Sequence, residues 1–291
     1  MNKQEFKELA GSGIVILDGA TGTNMTKAGM PKGISTEFWI LEHADVLKDL
    51  QKEYIKAGSQ IVYAPTFSAN RISLRNFHME TRVEELNTRL VEISKEAVQG
   101  NAYIAGDLTT TGKRLEPNGE LTYEELLDAY KEQITALANA GADLLVAETM
   151  LAVDEMMAAL DAASSVCDLP MMCSMTVEAD GTGFFGGSAL EAMETLQEMD
   201  AAAVGINCSL GPDQLESVVS AMSKRAKIPV IAKPNAGNPL INDKGEAIYN
   251  MEAFEFARHM KTLADAGASV IGGCCGTDPE YIRQIVEVLK V

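Results

Sequence analysis

Eight short apolar runs, rich in Ile, Val and Ala, alternate with longer amphipathic segments along the chain. Each run is apolar throughout, which is typical of parallel strands buried on both faces. The segments between them predict helices; residues 124–142 keep apolar residues at helical spacing and end near a glycine. The eight runs are residues 14–20, 59–66, 102–108, 143–149, 170–177, 202–209, 229–237 and 269–276.

This alternation predicts an α/β fold, namely a (β/α)8 barrel of the TIM type, with a doubly wound open sheet as the alternative. No linker rich in Pro, Gly or Ser divides the 291 residues, so we expect a single domain over residues 1–291. In a TIM-type barrel, functional side chains lie at the carboxyl ends of the strands. The last residues of each apolar run are therefore the candidates for chemistry.

Charge and composition argue against several classes of partner. A formal net charge of −18 disfavours nucleic acid, which needs clustered Lys and Arg. The first residues are too polar for a secretory signal, and no apolar stretch approaches the roughly 18 residues of a membrane helix. Five cysteines without such a signal fit a reducing cytoplasm, where thiols stay free. We therefore expect a cytoplasmic protein with no nucleic-acid and no membrane partner.

Three of the five cysteines stand at the ends of two apolar runs. Cys208 ends the sixth run, and Cys274 and Cys275 end the eighth. Strands six and eight of a barrel are separated only by strand seven, so the three sulfur atoms can converge at one rim. Three thiolates suit Zn²⁺ with one coordination position left open. Packing of small buried cysteines is the alternative, and it is our interpretation of Cys167 and Cys173.

Two adjacent cysteines can reach one metal ion only if the backbone leaves regular strand geometry. The glycines at 272, 273 and 276 permit such a departure. A zinc ion with three thiolate ligands carries a net negative charge and activates water poorly. It can still bind an incoming thiol as thiolate at neutral pH, which favours alkyl transfer to sulfur over hydrolysis.

Two alternative enzyme classes fit the chain less well. Barrel metallohydrolases use histidine ligands at strand ends, and the three histidines fall in predicted helices or connections. A lyase or aldolase with incidental cysteines would need a Schiff-base lysine, for which Lys233 is the nearest candidate.

Acidic side chains end the first and fourth runs. Asp18 and Glu148 would place two carboxylates at the barrel mouth, where they can bind an ammonium group; a pair of solvated acids is the alternative. Gly19 and Gly22 let the backbone approach a ligand, and N–H groups there can bind a carboxylate. Together with a metal, these residues predict a pocket for a molecule with a thiol at one end and an amino-acid head group at the other.

These segments resemble the homocysteine S-methyltransferase family, which includes the homocysteine-binding zinc domain of cobalamin-dependent methionine synthase. The resemblance covers nearly the whole chain. It implies a TIM-type barrel that binds Zn²⁺ through Cys208, Cys274 and Cys275, with the sulfur of homocysteine at the open position. It rests on DGATGT (18–23), APTFSANR (64–71), AET (147–149), GINCS (205–209), KPNAG (233–237) and GGCCGT (272–277).

The same resemblance assigns roles to other residues. Asp18 and Glu148 would hold the amino group of homocysteine, and the backbone near Gly19 and Ala20 would meet its carboxylate. Asn235, in KPNAG, matches a family position near the metal.

The residue that follows Thr66 and Phe67 helps to predict the methyl donor. Betaine-using relatives carry a tyrosine there that can approach the zinc, whereas this chain carries Ser68, as do relatives of the methionine synthase module. We therefore expect zinc-dependent methyl transfer to homocysteine, which gives methionine. The expected donor is methylcobalamin or another methylcorrinoid, carried by a separate protein or by folate and corrinoid modules. S-methylmethionine, S-adenosylmethionine and betaine are the alternative donors. A non-catalytic thiol- or zinc-binding barrel is the alternative of another class.

Overall fold

The computed structural model describes residues 1–241 and 247–291. Each of the eight predicted apolar runs overlaps one strand of the main sheet. Two further strands, Leu240–Ile241 and Ala247–Ile248, pair antiparallel with each other as a separate small sheet. The strands are β1 (Val15–Ile16), β2 (Ile61–Tyr63), β3 (Tyr103–Thr109), β4 (Leu144–Met150), β5 (Met171–Met175), β6 (Ala203–Asn207), β7 (Val230–Lys233), β8 (Leu240–Ile241), β9 (Ala247–Ile248) and β10 (Ala268–Ile271).

The main sheet curls into a nearly closed barrel. Its eight strands are parallel and follow the order β1–β10–β7–β6–β5–β4–β3–β2. Leu17 and Ile61 pair across the remaining gap between β1 and β2. The (β/α)8 barrel of the TIM type is therefore confirmed, and the doubly wound alternative is excluded because its sheet would end in two free edges.

Helices surround the barrel and bury their apolar faces against the outward side chains of the strands. Helix α7 illustrates the local signals: Thr122 and Glu125 form a reciprocal cap at its start, and Gly141, with φ of 89°, ends it. The helices are α1 (Lys3–Gly11), α2 (Gly22–Lys27), α3 (Thr36–Glu42), α4 (Ala44–Ala57), α5 (Arg71–Leu74), α6 (Val83–Val98), α7 (Tyr123–Ala140), α8 (Val153–Val166), α9 (Ala189–Glu198), α10 (Glu216–Ser223), α11 (Ala253–Asp265) and α12 (Pro279–Leu289).

Helix α1 fills the amino-terminal end of the barrel. Phe6 is buried in the cluster of inward-facing strand residues, which includes Val15, Leu17 and Ile61. The amino group of Met1 donates a hydrogen bond of 2.9 Å to the Asp143 carbonyl. The interior is therefore a packed core at this end, and functional space remains at the opposite end. Among the described residues, no helix combines the length and apolar character needed to cross a membrane.

Candidate metal centre

A cavity of about 410 Å³ lies at the carboxyl ends of the barrel strands. Its mouth carries the exposed side chains of Ile34 and Phe77. Its deeper wall is polar and includes Tyr63, Asp107, Glu148, Lys233, Cys208, Cys274 and Cys275. The strand ends thus bring together the residue types that the sequence analysis places at the site.

The three predicted cysteine ligands converge at this wall. The sulfur atoms of Cys208, Cys274 and Cys275 lie within 4.8 Å of one another. Cys208 Sγ and Cys275 Sγ are 3.5 Å apart. Tetrahedral zinc with Zn–S bonds of about 2.3 Å separates its sulfur ligands by about 3.8 Å. The donor set therefore fits Zn²⁺ in both spacing and softness.

The chain turns sharply after β10, and this turn directs both adjacent cysteines to one side. The Cys274 N–H donates to the Pro234 carbonyl at 2.7 Å, and the Ala236 N–H donates to the Cys275 carbonyl at 2.9 Å. Gly276 adopts a left-handed φ of 86°. Strand β10 ends at Ile271, and the cysteine pair that follows is held by hydrogen bonds to residues 234–236.

Gly272 and Gly273 serve the turn differently from Gly276. A Cβ at Gly272 would lie 2.7 Å from the Asp18 carbonyl oxygen, and one at Gly273 would lie 2.5 Å from the Thr277 hydroxyl oxygen. Neither residue has a positive φ. These two glycines are therefore needed for close packing against β1 and the turn, whereas Gly276 is needed for its backbone conformation.

Asn207 organises the ends of β4 and β6. Its Oδ1 accepts hydrogen bonds from the Thr149 N–H at 2.8 Å and the Ser174 hydroxyl at 2.9 Å, while its Nδ2 donates to Glu148 Oε2 at 3.2 Å. Thr149 and Cys208 both have left-handed φ angles, of 58° and 48°. Such angles are uncommon outside glycine and mark sites where the surroundings impose the conformation.

The three thiols form one hydrogen-bonded cluster. Contacts with Cys208 and Cys274 lower the pKa of Cys275, and the Tyr249 hydroxyl adds to this effect. Contacts with Cys208 and Cys275, together with burial, raise the pKa of Cys274. The Tyr249 ring packs directly against the backbone of Gly276, where a Cβ would lie only 2.5 Å from it. Of these two thiols, the cluster therefore favours ionisation of Cys275.

A buried cation lies between the two predicted carboxylates. Lys233 Nζ is 3.6 Å from Asp18 Oδ1 and 3.9 Å from Glu148 Oε2. It also lies 4.7 Å from the centre of the Tyr63 ring. All four side chains are buried. Glu148 lines the cavity, whereas Asp18 lies just behind the wall, where its Oδ2 accepts a hydrogen bond of 2.8 Å from the Tyr63 N–H.

Burial dominates the acid–base behaviour of this group. It raises the pKa of Asp18 to about 6 and that of Glu148 to about 7, although the Lys233 ammonium opposes both shifts. Burial and the Glu148 charge raise the pKa of Asp107 well above its ordinary value. Burial lowers the pKa of Lys233, but Glu148 and Asp18 outweigh it and raise that pKa. Lys233 therefore stays protonated, which disfavours the Schiff-base alternative.

Of the remaining predicted residues, two line the cavity and one is buried without lining it. Gly19 and Ala20 line the cavity, and the Ala20 N–H donates to the Thr277 hydroxyl at 3.2 Å. Asn235 is buried but does not line the cavity; its Nδ2 donates to the Ser209 carbonyl at 3.2 Å. Asn235 thus braces the segment that follows Cys208.

The cysteines interpreted as packing residues lie away from the cavity. Cys173 is fully buried within β5, and Cys167 is half-buried at the end of α8. None of the three histidines is among the residues that line the cavity. Cys167 and Cys173 therefore lie outside the cluster of three thiols.

Sequence reasoning missed Tyr63 and Asn207, and it considered Lys233 only as a nucleophile. Each ends a barrel strand, so the rule that places function at carboxyl ends could have flagged them. Their side-chain contacts depend on neighbouring strands, and the sequence shows no such contacts.

Comparison with known proteins agrees with the geometry. The family model for homocysteine S-methyltransferase matches residues 15–289. Methionine synthases from Mycobacterium leprae and Mycobacterium tuberculosis are each 28% identical to this chain over 290 residues. Those matches cover 94% of this chain and 24% of the relatives, so the chain spans about a quarter of their length.

Solved structures support the fold. The homocysteine methyltransferase MmuM from Escherichia coli, in its metallated form, has a TM-score of 0.80 and 20% identity, over 96% of this chain and 97% of its own. Dihydrodipicolinate synthase from Bacillus clausii gives a TM-score of only 0.54. Because the family model extends over almost the entire barrel, the chain belongs to the homocysteine S-methyltransferase family.

Proposed function

We propose that residues 1–291 form one homocysteine-binding domain that transfers a methyl group to the thiol of homocysteine and so produces methionine. The observation that carries the proposal is the convergence of three cysteine sulfur atoms in a cavity whose floor holds buried carboxyl groups. Membership of the family supports the reaction class.

In this proposal Cys208, Cys274 and Cys275 hold a zinc ion. When bound, Zn²⁺ stabilises the thiolate form of an incoming thiol at neutral pH. The chain fixes its three sulfur atoms through the turn after β10 and the left-handed conformation of Cys208. The proposal needs free thiols and hence a reducing compartment such as the cytoplasm.

Asp18 and Glu148 would hold the amino group of homocysteine. The position of Lys233 supports this role, because a cation already lies within 4 Å of both carboxylates. The backbone at Gly19 and Ala20 would meet the substrate carboxylate, since both residues line the same cavity. Asn235 would act indirectly by bracing the chain beyond Cys208.

The chemical step is a displacement at the methyl carbon. The thiol of homocysteine loses its proton to solvent, and the sulfur lone pair forms the new S–C bond. The bond between the methyl group and its donor breaks, and that electron pair stays with the donor. The contribution of the chain is to orient the sulfur toward the methyl carbon and to limit access of water.

We propose a methylcorrinoid, methylcobalamin or a relative carried by another protein or module, as the methyl donor. The small side chain of Ser68 lines the cavity, and its N–H donates to Glu37 Oε1 at 2.7 Å. This residue therefore adds little bulk between the sulfur atoms and the mouth, which leaves room for a large donor.

Zinc analysis and donor screening test the proposal together. Purified protein should bind one zinc ion, and replacing any of the three clustered cysteines with Ala should lower zinc affinity at least 100-fold. Cys167→Ala is the matched control, because this thiol lies outside the cluster. It should keep both zinc and activity.

Methionine formation is then followed with homocysteine and each donor in turn: methylcobalamin, S-methylmethionine, S-adenosylmethionine and betaine. We expect product with methylcobalamin and none with zinc-free protein. Product from a different donor would overturn the donor assignment alone. Zinc binding without product from any donor would instead identify a non-catalytic barrel.

A further inference from the structure

Two polar atoms in the cavity wall have no hydrogen-bond partner among the described residues. They are Asp107 Oδ1 and the Tyr63 hydroxyl oxygen. Both residues line the cavity, and both are only 4% exposed. Buried polar groups are normally hydrogen-bonded, because an unpaired group has lost its hydrogen bonds to water and gained none in return. Two such groups on residues that line one cavity therefore point to a bound ligand.

The neighbours of these atoms indicate the kind of ligand. Asp107, Glu148 and Lys233 line the cavity, and the carboxyl group of Asp18 lies just behind its wall, 3.6 Å from the Lys233 ammonium. This surplus of acids suits a ligand cation. A primary ammonium has three N–H donors, and Asp18 and Glu148 account for two of them in the proposed function. Asp107 Oδ1 offers an acceptor for the third.

The Tyr63 hydroxyl complements this arrangement. Burial and the charges of Glu148 and Asp18 raise its pKa, so the group keeps its proton and can donate. In an amino acid the ammonium and carboxylate groups share one carbon atom. A floor that binds the ammonium therefore brings the carboxylate within reach of a neighbouring phenol.

We propose that Asp107 and Tyr63 bind the amino-acid head group of the thiol substrate, Asp107 through its ammonium and Tyr63 through its carboxylate. This inference rests on the proposed function for the identity of the substrate. It adds two specificity-determining residues to Asp18, Glu148 and the backbone at Gly19 and Ala20. It also explains why two buried polar atoms lack hydrogen-bond partners.

Calorimetry with zinc-loaded protein tests the inference without a methyl donor. The ligands are homocysteine, 4-mercaptobutanoate, which lacks the ammonium group, and 3-aminopropane-1-thiol, which lacks the carboxylate. Asp107→Asn and Tyr63→Phe are nearly isosteric. Tyr130→Phe is the matched control, because its buried hydroxyl donates to the Thr109 carbonyl at 3.1 Å, away from the cavity wall.

We expect Asp107→Asn to weaken the binding of homocysteine about tenfold or more and to leave the affinity for 4-mercaptobutanoate unchanged. Tyr63→Phe should weaken the binding of homocysteine by a similar factor and leave the affinity for 3-aminopropane-1-thiol unchanged. Tyr130→Phe should lower the melting temperature and change no affinity. Zinc content and melting temperature of each variant separate a binding effect from a folding defect.

The outcomes separate this inference from the proposed function. If wild-type protein binds homocysteine and both cavity variants bind all three thiols as tightly, the inference is wrong and the function stands. Equal losses for all three thiols would also overturn it, since they indicate a general disturbance of the cavity. If wild-type protein binds no homocysteine, both fail. Correct ligand discrimination without methionine formation would refute only the proposed catalysis.

Discussion

Asn207 donates a hydrogen bond of 3.2 Å to Glu148 Oε2, and the next residue in the chain is Cys208. One side chain therefore connects the proposed head-group site to the proposed metal ligand. Asn207 also accepts from the Thr149 N–H at 2.8 Å, which holds the left-handed turn after Glu148. The two halves of the site are thus built on one buried amide.

Asn207→Ala should weaken homocysteine binding about tenfold, because a hydrogen bond to a charged group contributes roughly 1.5–3 kcal/mol. Titration calorimetry with zinc-loaded protein measures the effect. Ser174→Ala is the control, since it removes one donor to Asn207 but leaves the Glu148 contact. Unchanged homocysteine affinity in Asn207→Ala, with only a lower melting temperature, would show that the amide is purely structural.

Lys233→Met should weaken homocysteine binding at pH 7. Without the buried ammonium, the pKa values of Asp18 and Glu148 rise further, so the carboxyls hold protons that an ammonium ligand must displace. Lys227→Met is the control, because that lysine pairs with Glu198 on the surface. Tighter binding by Lys233→Met would mean that the lysine competes with the ligand for the carboxylates.

Gly276→Ala should destabilise the protein and lower its zinc affinity. A left-handed φ costs about 1–2 kcal/mol for alanine, and the new Cβ would lie 2.5 Å from the Tyr249 ring. Gly100→Ala separates the two effects, because Gly100 has a φ of 80° and no atom near the added Cβ. Thermal melting and competition with a chelator are the measurements. Equal losses of melting temperature and of zinc affinity in the two variants would exclude the predicted clash with Tyr249.

The free energy of unfolding of the metal-free protein should fall as pH rises from about 5 to 8. In the folded state the pKa values of Asp18 and Glu148 are about 6 and 7, against 3.8 and 4.5 as ordinary values. The folded state therefore holds more protons in this window, and stability is lost as they dissociate. With these values the two groups together account for a change of about 4 kcal/mol between pH 5 and pH 8.

Urea unfolding of wild type and of an Asp18→Asn, Glu148→Gln double variant measures this dependence. The variant keeps the shapes of both side chains but cannot ionise at these positions. Its stability should therefore depend less on pH than that of wild type. The same slope in both proteins would show that other groups cause the dependence.

The sequence by itself predicted the barrel and the three clustered cysteines. Continuous apolar runs reveal strands buried on both faces, and the fixed strand order of a barrel places Cys208 near Cys274 and Cys275. These inferences need only local pattern and topology. Asp18 and Glu148 followed from the same rule about strand ends, and the structure brings both within 4 Å of one lysine.

The tertiary structure alone decided how the side chains at these strand ends face one another. Lys233 lies between Asp18 and Glu148, and Asn207 donates a hydrogen bond to Glu148. Asp107 and Tyr63 line the cavity, and each carries one buried oxygen without a hydrogen-bond partner among the described residues. These relations depend on side-chain directions and on burial, which set charge and hydrogen bonding. Residues far apart in sequence meet only when the barrel closes, so no pattern within a single segment encodes their contacts.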